Sequence, residues 1–230
     1  MVPMTTTRLV RDDVKNVLDY LMEAELALYA NEVSLNSTRV SWHAHDPTAA
    51  FITTRKHPDI GQYLAWLAAG IYSAVLLDGS LIQITYDVQG GKIVGHRLAY
   101  IPCPYIVDPA FLEEGEAIAD VVEMYRDSED GNIALRSPVR FDFDPKAARS
   151  GHPAAHLTIN SIDCRVACVA PLGVHRFIDF VFRHFYPQLR TAHLPFFEEA
   201  AKRPSGESVL LDEDRKMPHI MWDLHSMSTA

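Results

Sequence analysis

The stretch Tyr72–Pro102, YSAVLLDGSLIQITYDVQGGKIVGHRLAYIP, decides the fold. Three runs rich in β-branched and aromatic residues are separated by Asp78-Gly79 and Gly90-Gly91, dipeptides that supply the positive φ angles of tight hairpin turns. This spacing predicts an antiparallel meander. Within the middle run Ile82, Ile84 and Tyr86 alternate with Gln83, Thr85 and Asp87, so one face of the strand is apolar and the other polar.

Working outward, Val10, Val14, Val17, Leu18, Leu21 and Leu28 recur at three- and four-residue steps and predict a helix from about Leu9 to Ala30, with Thr7 as its cap. A strand is expected over Thr38–Trp42. HAHDPTAAFITTRKHPD reads as a loop with a short strand; its His43, His45 and Asp46 are expected in a turn. A second helix is expected over Ile60–Ala69. Downstream, Phe111–Arg126 reads as an acidic surface helix, Asp127–Asn132 as a polar turn, and Leu135–Asp144 as a fourth long strand closed by Pro145. Ser150-Gly151-His152-Pro153 turns into a strand over Ala155–Asn160, and another follows near Cys164–Val169. PLGVHRFIDFVFRHFYP then gives a helix over about Val174–Tyr186, stopped by Pro187. The fold class is therefore α+β: a single domain over 1–230, a large, mostly antiparallel sheet with helices packed on one face, and a peripheral segment over about 188–230.

Composition agrees with one globular core: 230 residues, 48% hydrophobic and 22% charged. No apolar run approaches the roughly 20 residues of a bilayer span, and MVPMTTTRLVRDD lacks the apolar region of a secretion signal, so the expected location is cytoplasmic with no membrane partner. Cys103, Cys164 and Cys168 form an odd set without a CxxC pair, which argues for reduced thiols and against a structural zinc site. The net charge of -9 disfavours polyanions, but its distribution is uneven. Residues 71–130 carry 3 Lys/Arg against 11 Asp/Glu, whereas residues 131–190 carry 8 against 4. That basic block is a candidate surface for a nucleic acid or nucleotide.

The block also holds the densest polar pattern, RFDFDPKAARSGHPAAHLTIN from Arg140 to Asn160. Alternation sorts its first strand into Val139, Phe141 and Phe143 on one side and Arg140, Asp142 and Asp144 on the other. Its second strand sorts into Leu157 and Ile159 against His156, Thr158 and Asn160. A sheet with one face in water alternates in this way without any ligand. The short directional types Asp, His and Asn are also those that ligate metals or move protons. Asp142, Asp144 and His156 are candidate ligands for a divalent metal, and His152, His156, Asp142 and Asp144 are candidate catalytic groups. Arg140, Arg165, Thr158 and Asn160 are candidates for holding phosphate or another ligand. His152 and His156 have the four-residue step of helical zinc sites, but Pro153 disfavours a helix and no glutamate lies between. His156-Leu157-Thr158 has no second HxT copy, and P-loop, GxGxxG and GxSxG motifs are absent.

The ordered set RFDFDP, HPAAHLTIN, Cys164-Arg165, Pro171 and FIDFVFRHFYP resembles the core of an uncharacterised bacterial family, domain of unknown function 2290, over about residues 138–187. Ala155 and Ala167-Cys168 depart from its pattern. The resemblance implies the importance of Arg140, Asp142, Asp144, His152, His156 and Arg165, and implies no reaction. Two functions fit these residues. The first is a metal-dependent, phosphodiester-cleaving, nuclease-like effector. The second is a non-catalytic partner or ligand-binding subunit of a bacterial defence or mobile-element module, its polar residues forming a fixed network. The apolar last helix either packs in its own core or serves a protein partner or homodimer. An open cleft would favour the first function and buried, mutually paired groups the second.

Overall fold

Both glycine dipeptides turn the chain as expected. Gly79 has φ +85°, and Gly90 and Gly91 have φ +56° and +82°, the left-handed pair that a tight two-residue hairpin demands. A Cβ on Gly79 would also lie 2.9 Å from Ile118 Cδ1, so a larger residue there would have to displace that side chain as well as strain the backbone. The computed structural model describes residues 6–42, 59–113, 116–128, 133–160, 163–202 and 206–222. His43, His45, Asp46 and the loop around them, and positions 129–132 of the expected polar turn, lie outside the described residues.

In chain order, helix α1 (Thr6–Glu23) leads into strands β1 (Ala27–Ala30), β2 (Val33–Asn36) and β3 (Arg39–Trp42), and helix α2 (Ile60–Ala68) follows. The meander is β4 (Ala74–Leu76), β5 (Leu81–Gln89) and β6 (Lys92–Ile101). Short α3 (Pro109–Glu113) and α4 (Ile118–Asp127) precede β7 (Val139–Phe143), β8 (Ala155–Ile159) and β9 (Arg165–Cys168). The chain continues through α5 (Val174–Phe185), α6 (Pro187–Ala192), α7 (Leu194–Lys202), α8 (Asp212–Arg215) and β10 (His219–Ile220).

The ten strands of the described residues join one sheet in the order β1-β4-β5-β6-β7-β8-β9-β10, with β3 alongside β5 and β2 on β3. Every pairing is antiparallel except β10 on β9. The alternation sets the layers. Ile82, Ile84, Tyr86, Leu98, Tyr100, Val139, Phe141, Phe143 and Leu157 form the main core with Val14, Val17, Leu18 and Leu21 of α1 and Phe177, Ile178, Val181 and Phe182 of α5. Phe197 of α7 joins them. On the opposite face, Leu81, Ala99 and Ile101 meet Tyr63, Trp66 and Leu67 of α2 and Ile118 and Val122 of α4. The apolar face thus has the helical cover expected, and a second, smaller cover lies over the other face near β4. The rest of that second face, across β6 to β9, carries the polar residues.

Several elements depart from the sequence expectation. The first helix ends at Glu23, not Ala30. Glu25 takes a left-handed φ of +56° and the Leu26 N–H donates to the Leu21 carbonyl, closing the helix so that Ala27–Ala30 can pair with β4. The acidic surface helix is two, α3 and α4. Strand β7 starts at Val139, and Leu135, expected within it, is 100% exposed. The segment after Pro187 is less peripheral than expected, because Phe197 is fully buried and β10 extends the sheet.

Candidate functional site

Strand register places the polar residues of the second face in two rows. In one row Arg97 lies opposite Asp142, Asp142 opposite His156, and His156 opposite Ala167. In the next, Ala99 lies opposite Arg140, Arg140 opposite Thr158, and Thr158 opposite Arg165. Adjacent strands are about 4.8 Å apart, so each row brings its side chains within direct reach. A cleft of about 250 Å³ opens over these rows, lined by Arg97, Arg140, Asp142, Asp144, His152, His156 and Arg165, with His96 and Ala147 at its margin.

Asp142 is the hub. It is 7% exposed, accepts from Arg140 Nε at 2.6 Å, and lies 3.8 Å from Arg97 Nε and 3.6 Å from His156 Nε2. A charge-assisted hydrogen bond of that length in a shielded place is strong, and it fixes Arg140 along its own strand. His156 is 3% exposed, and its Nδ1 lies 2.9 Å from the Pro153 carbonyl. A carbonyl can only accept, so Nδ1 carries the proton. Burial pushes the His156 pKa below its ordinary value, against the pull of Asp142. The ring is therefore neutral near pH 7, with the Nε2 lone pair turned toward Asp142 and the cleft. The His152 ring stands edge-on to it at 4.9 Å between centroids.

Asp144 has a local duty. Its Oδ1 accepts from the backbone N–H of Lys146 and Ala147 at 3.1 and 3.3 Å, capping the turn after Pro145. Asn160 sits exposed at the end of β8 with a φ of +58° and does not line the cleft. Thr158 is buried between Arg140 and Arg165.

Asp142, Asp144 and His156, the expected metal ligands, all line the cleft. Among the described residues no group of three or more His, Cys, Asp or Glu side chains is arranged to hold a metal ion. Asp142 is engaged by arginine and Asp144 by turn amides, so Asp142, Asp144 and His156 do not converge as three ligands. Four buried atoms of cleft-lining residues nevertheless have no hydrogen-bond partner in the protein, Asp142 Oδ1, His96 Nδ1, His152 Nδ1 and Arg165 Nε, and Thr158 Oγ1 beneath them has none either. Buried polar atoms are nearly always satisfied, by ordered water where the protein supplies no partner.

Sequence reasoning missed Arg97 and His96. Arg97 was available from alternation, since it shares the face of Thr85 and Ala99 in the meander. His96 was not, because it points the other way: its Nε2 accepts from the Leu172 N–H at 2.9 Å within the core. Burial drives its pKa down to about 4, with Asp142 opposing.

The family pattern of an uncharacterized conserved protein matches residues 24–222. The chain belongs to the DUF2290 family. The match extends far beyond the 138–187 core read from motifs, covering all ten strands of this DUF2290 sheet. No curated protein and no solved structure matches the chain. Among the described residues no helix is long and apolar enough to cross a membrane.

Proposed function

We propose that the cleft over β6 to β9 binds the phosphate group of a phosphate ester, and that the protein is a ligand-binding member of its family, not a metal-dependent cleaving enzyme. The observation that carries this proposal is a cleft lined by three arginines from three strands, one of which, Arg165, has a buried Nε without a hydrogen-bond partner in the protein. Arg140 is pinned by Asp142, while the half-exposed Arg97 lies 3.8 Å from Asp142 and the partly buried Arg165 lies 3.9 Å from the exposed Asp163, so neither is held by a short ion pair. Guanidinium groups match phosphate oxygens in forked geometry, which a lysine cluster would not do as selectively.

Isothermal titration with orthophosphate and a nucleoside monophosphate tests the reading. Binding should appear with both, and Arg97→Ala and Arg165→Ala should each weaken it about tenfold or more, the loss expected for one charge-assisted hydrogen bond. Neither variant should shift the melting temperature appreciably in the absence of ligand. A second reading rests on the 2.6 Å Arg140–Asp142 contact, which is what a purely structural network would contain. It predicts no heat with either ligand, and that result would overturn the binding site.

A further inference from the structure

The phosphate cleft is not closed on the β5 side. It opens into a groove of about 610 Å³ that shares Arg97, His96 and Asp144 with it and runs on across β5 toward β3. Register explains the continuity. Arg39 lies opposite Asp87, and Asp87 opposite Gly95, in the row next to that of Thr85 and Arg97. Gly95 leaves the groove floor without a side chain; a Cβ there would stand 3.4 Å from Asp87 Oδ2 and the Phe143 carbonyl. Arg39 at one end and Lys146 on the wall are both exposed.

Resting on the phosphate reading, we infer that the ligand is a nucleic-acid strand whose sugar-phosphate backbone crosses the sheet from Arg165 to Arg39. Five cations, Arg39, Arg97, Arg140, Lys146 and Arg165, line the joined cleft and groove. Three carboxylates share this path, Asp87 paired with Arg39, Asp142 with Arg140, and Asp144 held by turn amides, so its formal charge is +2. From β3 to β9 the path crosses five strand spacings, about 24 Å. That is several nucleotides long and far more than a mononucleotide needs. The one Phe, Tyr or Trp among the described residues lining the groove, Phe143, is buried in the main core, so the groove presents no large aromatic ring for base stacking. Recognition is therefore of the backbone and indifferent to sequence. With the whole chain at a net charge of -9, binding should be confined to this path.

Fluorescence anisotropy with a labelled single-stranded oligonucleotide of about twelve residues, beside titration of a nucleoside monophosphate, tests the inference. The oligonucleotide should bind at least about 100-fold more tightly, and its affinity should fall with salt at a log-log slope of roughly -2 to -3.5, corresponding to about three to five phosphates neutralised. The double variant Arg39→Ala/Lys146→Ala should weaken the oligonucleotide about tenfold or more and leave the monophosphate unchanged. An oligonucleotide that binds no better than the monophosphate sinks the extended path while the phosphate site stands. Absence of binding by both sinks both. Tight oligonucleotide binding untouched by the double variant removes the groove from the path, and displacement by polyglutamate at equal charge concentration replaces the phosphodiester with an acidic peptide.

Discussion

His96 shows how one side chain links the site to the core. It is fully surrounded, holds the Leu172 N–H, and stays neutral because burial lowers its pKa to about 4. Its ordinary value in the unfolded chain is about 6.5, so the unfolded state binds more protons between those two values. The stability this group confers is present in full above pH 6.5 and is lost as pH falls toward 4. The loss amounts to roughly 2–4 kcal/mol for a shift of this size. His156, also pushed down by burial, acts in the same direction. Urea unfolding of His96→Gln, whose side-chain oxygen still accepts from Leu172, should show a shallower fall in stability from pH 6.5 to 4.5 than the parent chain. Parallel curves would remove His96 as the cause. None of this was legible in the sequence, where His96 follows a glycine in a strand and has no partner in view. Asp142 and Asp144, by contrast, were found by alternation but assigned one shared role. The pattern could not show that an arginine two residues back claims the first and a tight turn claims the second.

Elements with a full apolar stripe were read well, and those without one were not. Helix α5 was legible because Phe177, Ile178, Val181 and Phe182 repeat at helical spacing over about one and a half turns, and these four side chains are completely buried. Phe185 continues the stripe by number yet is 37% exposed, stacked on Tyr100 at 4.4 Å. Thermal unfolding should separate the two. Phe182→Ala should cost about 3–5 kcal/mol, the range for emptying an aromatic site in a core, and Phe185→Ala about 1 kcal/mol or a little more. Equal costs would mean that the end of α5 is packed as tightly as its middle. Strands β1 and β2, four residues each, escaped notice because so short a run holds only two alternations. Leu28 happened to extend the helical spacing of α1, and no glycine marks the left-handed turn at Glu25.

For the molecule as a whole, the unit that is recognised and the unit that folds are different. The family pattern begins at residue 24, immediately after α1. Yet α1 contributes Val14, Val17, Leu18 and Leu21 to the main core, at 2%, 0%, 3% and 0% exposure. Burying four such side chains is worth roughly 6–12 kcal/mol, comparable with the whole net stability of about 5–15 kcal/mol of an ordinary domain. Without the helix, the apolar faces of β3, β5 and α5 that it covers would open to water. A chain lacking residues 1–23 should therefore bind a hydrophobic dye and lose its cooperative thermal transition, although every residue of the cleft is still present. Leu21→Ala provides the graded version, with an expected cost of about 2–5 kcal/mol and an unaltered cleft. If the truncated chain instead melts cooperatively within a few degrees of the full chain, α1 is an accessory to the sheet and the core closes without it.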